Sequence, residues 1–176
     1  RRQGRGGKGI IASETREGDF IESLFTASTH DYLMVFTNRG KCYWLKVYNI
    51  PQLARQSKGR SIANLLNIGD QKIASIINVD KFDDRNLVMA TRNGIIKKSP
   101  LSLYANPRPS GIIAVKLDLN DDLIGVALTS GKNHIILGTK DGMAIRFDEE
   151  QVRPMGRSAI GVKGITLRKG DYVVDM

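Results

Sequence analysis

The sequence predicts an all-β fold: a propeller-like array of four-stranded antiparallel units, of which this chain holds only part. Three observations predict it. Glycine anchors at Gly9, Gly59, Gly111 and Gly161 recur at spacings of 50, 52 and 50 residues, and an aspartate follows each by ten or eleven positions, at Asp19, Asp70, Asp121 and Asp171. A period near 50 is that of a repeat architecture in which each repeat is one supersecondary unit. A second mark, Thr-x-x-Gly, falls midway between anchors at Thr37–Gly40, Thr91–Gly94 and Thr139–Gly142. Finally, no stretch of ten or more residues carries a helical stripe, and the best candidate, 53–66, is interrupted by Gly59.

The elements follow in order within each unit. The apolar runs Tyr32-Leu33-Met34-Val35-Phe36, Leu87-Val88-Met89-Ala90 and Ile135-Ile136-Leu137 stand just before the Thr-x-x-Gly marks and read as first hairpin strands. Asn93-Gly94 and Asp141-Gly142 are tight-hairpin dipeptides, since both central positions accept φ > 0. Past the turn, Met143, Ile145 and Phe147 alternate with Ala144 and Arg146, which predicts a half-buried strand. Pro51, Pro100, Pro107, Pro109 and Pro154 come after second strands and mark loops. On this count residues 1–18 are the tail of a first repeat, 19–69, 70–120 and 121–169 are whole repeats, and 170–176 begin another. The chain opens on arginine rather than Met and reads as a fragment of something larger.

Charge keeps phase with the repeat. The net charge is +9, and segment 39–60 carries Arg39, Lys41, Lys46, Arg55, Lys58 and Arg60 without an acid. Segment 92–116 carries Arg92, Lys97, Lys98, Arg108 and Lys116, again without an acid, whereas 19–38 has three acids and no base. In 140–163 the basic half is diluted to five bases against four acids. Residues at one phase of an array occupy one place on successive units, so phase-locked charge becomes a basic stripe along a rim, the electrostatic footprint of a nucleic-acid binder. The loop before each anchor belongs to the stripe: Arg5, Arg55 and Arg157 lie four residues before their glycines, Arg108 three, and Lys8 and Lys58 immediately precede theirs. Arg1 and Arg2 add to the first loop, and Lys163 follows the last anchor.

Other function classes find little support. At 41% apolar and 6% aromatic residues the core is aliphatic. The single Cys42 makes no internal disulfide, reads as a small packing residue, and fits a reducing cytoplasm. His30 and His134 form no paired motif with it. Asp83-Asp84 and Asp121-Asp122 lack metal-ligand spacing and read as solvated turns. The tyrosines and Trp44 read as packing residues. There is no signal peptide, no apolar run of membrane-spanning length and no phosphate-binding Walker loop. No residue reads as catalytic.

Gln3-Gly4-Arg5-Gly6-Gly7-Lys8-Gly9 resembles the box found in the C-terminal domain of the bacterial DNA gyrase A protein: a glutamine, two basic residues, two glycines, a basic residue and a glycine. It departs at Gly4, where the family has a base. Ser28-Thr29-His30-Asp31, Phe36-Thr37-Asn38-Arg39-Gly40, Tyr43-Trp44-Leu45-Lys46-Val47-Tyr48 and Gly161-Val162-Lys163-Gly164-Ile165 carry the resemblance across the chain. It implies a six-bladed β-pinwheel, of which about three and a half blades fall here, with Gln3, Arg5, Gly6, Gly7, Lys8 and Gly9 as the box that wraps DNA. The C-terminal domain of the topoisomerase IV A protein is a near relative that lacks an intact box, so the box favours gyrase.

The resemblance implies sequence-independent binding, bending and wrapping of duplex DNA in support of negative supercoiling. It also implies a cytoplasmic, nucleoid-associated, ATP-hydrolysing topoisomerase, in which the partners of this segment are the rest of the gyrase A protein and the gyrase B protein. ATP and Mg would be bound elsewhere in that holoenzyme, with no cofactor in this segment and DNA cleavage by a tyrosine of another domain. The competing reading is a propeller scaffold that holds an acidic protein on its basic rim.

Overall fold

The computed structural model describes residues 3–11, 15, 17–21, 24–54 and 57–176, without the side chain of Ala63. Its strands are β1 (Tyr32–Thr37), β2 (Lys41–Lys46), β3 (Ile73–Val79), β4 (Asn86–Thr91), β5 (Ile95–Pro100), β6 (Ile112–Ile113), β7 (Leu123–Thr129), β8 (His134–Thr139), β9 (Ala144–Asp148), β10 (Val162–Lys163) and β11 (Val173–Asp175). Among the described residues only short 3-10 turns accompany them, including Ile62–Asn64 inside the interrupted helical candidate. The strands form three antiparallel sheets, ordered β3-β1-β2-β6, β10-β5-β4-β7 and β11-β8-β9.

This order puts sheet and sequence repeat out of phase. The hairpin of each sheet comes from one repeat, and its flanking strands come from the next. Hairpin β1–β2 takes β3 on one edge and β6 on the other, and hairpin β4–β5 takes β7 and β10 in the same places. Neighbouring units are thereby interlocked through backbone hydrogen bonds as well as side chains.

The Thr-x-x-Gly mark is a hairpin loop closed by a left-handed glycine. Gly40, Gly94 and Gly142 have φ of 72°, 82° and 80°, while Asn93 and Asp141 stay out of that region. The expected turn with two left-handed central residues is therefore replaced by a type I turn followed by the glycine. The threonine binds the turn twice. Its carbonyl accepts from the glycine N–H (Gly40 to Thr37, 2.9 Å; Gly94 to Thr91, 3.0 Å; Gly142 to Thr139, 3.0 Å). Its Oγ1 accepts from the N–H of the residue beyond, at 3.4, 3.2 and 3.2 Å for Lys41, Ile95 and Met143.

The phased aspartates have a related task. Asp121 is buried, and its Oδ1 accepts from the backbone N–H of Asn93 in the preceding hairpin and of Asp122, both at 2.9 Å. Asp171 repeats this on Asp141 (3.1 Å) and Tyr172 (2.8 Å). Asp121 is thus a turn brace rather than a solvated turn residue.

The first hairpin strands read as continuous apolar runs because both their faces are covered. Met34 and Phe36 pack with Leu87 and Met89 between the first two sheets, while Leu33 and Val35 pack with Tyr43, Leu45, Leu66 and Ile68 on the far face. Val88, Ala90 and Ile96 meet Ile135, Leu137 and Val173 between the second and third sheets. Tyr104 stacks on Trp44 in the first seam, and Cys42 lies there as a buried thiol whose pKa burial pushes up. Tyr48 departs from the packing expectation and is exposed. Strand β9 departs as well: four of its five residues are exposed, because among the described residues no strand covers its outer edge as β6 and β10 cover β2 and β5. No helix in the described residues is long and apolar enough to cross a membrane.

Candidate nucleic-acid interface

The glycine-rich loop at the start of the chain is closed by a single side chain. The Gln3 amide reaches across it, Nε2 donating to Gly9 O at 3.0 Å and Oε1 accepting from Gly9 N–H at 2.9 Å. Inside this clip Gly7 N–H donates to Gly4 O at 3.1 Å. A Cβ on Gly7 would stand 2.5 Å from Gln3 Oε1, so the clip itself requires glycine there. Arg5 and Lys8 are exposed on the closed loop, with neither engaged in an ion pair among the described residues. A compact glycine loop with outward cations suits the close approach of a phosphate backbone.

Two arginines of nearly the same phase line one cleft farther along. Arg108 and Arg157 come from the pre-anchor loops of successive repeats, and together they line one cleft of about 380 Å³ with Gly111, Ile112, Ile113 and Ser158. No carboxylate lines it among the described residues. The outer strand β6 forms its floor, since Ile112 and Ile113 pair with Cys42 and Lys41 of β2. Gly111 permits this packing: its φ is 73°, and a Cβ would stand 2.8 Å from the Tyr43 ring.

The remaining sequence candidates divide into four groups. Lys58 and Arg60 are exposed and line a second cleft, of about 590 Å³, with Thr15, Asp19 and Phe20. Arg39 and Lys41 line a third, of about 340 Å³, which also contains Asp118 and Asp121 and is therefore of mixed charge. Arg39 and Arg92 lie on hairpin tips, two residues and one residue after their threonines, Lys163 is exposed on β10, and Lys46 is exposed with its Nζ 5.3 Å from the ring centres of both Tyr32 and Tyr48. Arg1, Arg2 and Arg55 lie outside the described residues.

Lys97 and Lys98 are corrections. Their phase puts them on the basic rim, yet only 1% and 5% of their surface is exposed. Strand β5 is covered on both faces, and each long stem turns its amine onto backbone carbonyls. Lys97 Nζ donates to Ala114 O and Arg157 O, both at 2.6 Å, and Lys98 Nζ donates to Glu149 O at 2.6 Å. Burial, and secondarily the nearby Arg157 guanidinium, lower the Lys97 pKa to about 8. Neither amine is available to an external phosphate.

A further tip cation escapes the sequence reading. Lys140 follows Thr139 and is exposed on the third hairpin turn, at the position that Arg92 takes in the second hairpin and one residue nearer the threonine than Arg39 in the first. Its place inside Thr-x-x-Gly is the available signal. Arg92 and Lys140 share the Tyr172 ring, with Arg92 Cζ 3.9 Å and Lys140 Nζ 5.6 Å from its centre.

Comparison with known proteins bears on the fold. A family model described as "DNA gyrase C-terminal domain, beta-propeller" matches residues 1–28, 31–80, 85–130 and 133–176. The last three stretches each begin with a hairpin and end with the strand, β3, β7 or β11, that pairs with the first strand of that hairpin. The DNA gyrase A protein of Buchnera aphidicola subsp. Baizongia pistaciae is 46% identical over 176 residues, covering 99% of this chain and 21% of that protein. The DNA gyrase A protein of Clostridium acetobutylicum is 48% identical over 164 residues, covering 92% of this chain and 20% of that protein. The chain thus spans about a fifth of the length of these curated relatives. Among solved structures, the C-terminal domain of DNA topoisomerase IV superposes with a TM-score of 0.77 at 36% identity, covering 83% of this chain and 46% of the other. A DNA gyrase A C-terminal domain superposes with a TM-score of 0.73 at 30% identity, covering 99% and 56%. The interlocked sheets, the repeat and the matched family model together establish that the chain belongs to the DNA gyrase C-terminal domain family of β-propellers.

Proposed function

We propose that this chain binds duplex DNA without regard to sequence, and bends it, as the non-catalytic C-terminal part of a DNA gyrase A protein. The observation that carries the reading is the cleft lined by Arg108 and Arg157, where the pre-anchor loops of successive repeats each bring a cation without a carboxylate among the described residues. Exposed Arg5 and Lys8 on the clipped loop, and Lys58 and Arg60 on either side of the Gly59 anchor, supply the same chemistry at other repeats. Each cation that meets a phosphate releases counterions, so affinity comes from many weak contacts and falls with salt. No helix is present among the described residues to enter a groove and read base edges, and phosphate contacts carry no sequence information.

Bending a short duplex costs on the order of 1–6 kcal/mol. One loop cannot offset that, and repetition of the basic loop on an interlocked scaffold answers the need. In the complete enzyme this chain would act beside the rest of the gyrase A protein and the gyrase B protein, with ATP and Mg bound elsewhere, and the bent segment would be presented for supercoiling. The two curated relatives above, both gyrase A proteins, together with the box at 3–9, favour gyrase over topoisomerase IV.

Titration of unrelated duplexes of equal length at several salt concentrations tests the reading. Equal affinities that fall steeply with salt support it. Absent duplex binding, with salt-stable capture of one acidic protein, would replace it with the scaffold reading.

A further inference from the structure

The seam between the first and second sheets contains a buried cation that no phosphate can reach, and its position suggests what it does. Lys97 Nζ joins two carbonyls at 2.6 Å each. One belongs to Ala114, directly after β6, the strand that carries the Arg108 loop into the cleft. The other belongs to Arg157 itself. One ammonium on β5 therefore ties together the two backbone segments that bear the two arginines of the cleft.

We propose that Lys97 is a positioning residue for DNA binding, fixing the Arg157 loop against the Arg108 strand so that both guanidiniums meet one phosphate backbone. This rests on the DNA-binding reading above. Lys97 shares this task with one longer backbone bond. Tyr104 Oη donates to the same Ala114 carbonyl at 3.1 Å and does not reach the loop. The loop is otherwise held beside Arg157 by Met155 N–H on Lys98 O at 2.8 Å and by Lys116 N–H on Ala159 O at 3.3 Å. At the equivalent position of the first hairpin stands Tyr43, whose ring packs on Gly111. Lysine here exchanges ring packing for a polar tie between two loops.

The charge is retained at a cost, which is consistent with a specific use. Burying an ammonium beside a guanidinium disfavours the charged form, and the lowered pKa records it. The other titratable groups around this seam are Cys42 and Tyr104, both pushed upward chiefly by burial, and so neutral near pH 8. Lys97 and the two cleft arginines, Arg108 and Arg157, are all positive, and a bound phosphate would relieve their repulsion.

The experiment compares wild type, Lys97→Met, Arg157→Ala and the double variant for duplex affinity and salt slope, with melting curves on the same samples. Lys97→Met keeps length and apolar packing and removes the donors. The expected result is a folded protein that binds about three- to tenfold more weakly, with a log K against log salt slope smaller by about 0.9. The double variant should lose no more than Arg157→Ala alone. Wild-type affinity and slope in folded Lys97→Met, or fully additive losses, overturn the proposal while leaving the DNA-binding reading intact. Failure of wild type to bind duplex overturns both. If Lys97→Met does not fold, the gap between wild type and Arg157→Ala is measured at pH 7 and pH 9. The gap narrows as Lys97 loses its proton if the proposal holds, and an unchanged gap overturns it.

Discussion

The amide of Gln3 meets both backbone groups of Gly9, donating to its carbonyl at 3.0 Å and accepting from its N–H at 2.9 Å. This pair makes the opening loop a closed structure, and explains why glutamine and glycine frame the two cations. Replacing Gln3 by Ala removes both bonds at an exposed site. Global stability should change little, and DNA bending should fall with an affinity loss of about two- to tenfold, the worth of one to two exposed hydrogen bonds. Fluorescence energy transfer across a short labelled duplex, run beside a thermal melt, separates the two effects.

Gly4 is the one departure from the box, and nothing in the fold demands it. Its φ is not in the left-handed region, and a Cβ there meets no atom within 4 Å. Gly4→Arg should therefore be tolerated and add a phosphate contact. The expected outcome is tighter duplex binding at low salt, with a salt slope steeper by about 0.9. Affinities measured across a salt series check it.

The interlocking of repeats predicts unequal costs at equivalent glycines. Gly40 has φ 72°, and a Cβ would stand 2.5 Å from Val115 O on the segment that follows β6. Gly142 has φ 80° with nothing within 4 Å. Gly142→Ala should cost about 1–2 kcal/mol, the left-handed penalty alone. Gly40→Ala should cost more than that, roughly 3 kcal/mol or above, because backbone must also move. Urea unfolding of the two variants gives the comparison.

Lys97 sets a pH dependence of stability with a definite sign. Its pKa is about 8 in the folded protein, against about 10.4 for an unfolded lysine. Below pH 8 both states hold the proton, and the folded state bears the full cost of burying it. Between these values the unfolded chain holds a proton that the folded one has shed, so stability rises with pH, by up to about 1.4 kcal/mol per unit. Subtracting the Lys97→Met profile from the wild-type profile by urea unfolding between pH 7 and 10.5 isolates the rise, which should be absent from the variant.

The strands, the hairpins and the anchors are legible in the sequence because apolar runs and turn residues are local signals. The out-of-phase sheets are not, since β6 and β10 are only two residues long and pair across repeats. The same cause hides the fate of Lys97 and Lys98. A basic dipeptide in sequence reads as surface, and only the two-sided covering of β5 turns it inward. The alignment of Lys97 with Tyr43 and Ile145, counted from the Thr-x-x-Gly mark, is the one available hint. The box is visible as composition, while its closure by Gln3 requires geometry. The pairing of Arg108 with Arg157 in one cleft follows from phase, because residues at one phase of an array recur on neighbouring units.

The central claim is that successive basic loops bend duplex DNA together. The bend angle of a short duplex, measured by energy transfer at saturating protein, tests it most directly when wild type is compared with Arg5→Ala/Lys8→Ala and with Arg108→Ala/Arg157→Ala. The account predicts a pronounced bend in wild type and a smaller one in each folded variant, with the loss in bending exceeding the loss in simple binding for the Arg5/Lys8 pair. A straight duplex on wild-type protein, or an undiminished bend in both variants, would contradict it.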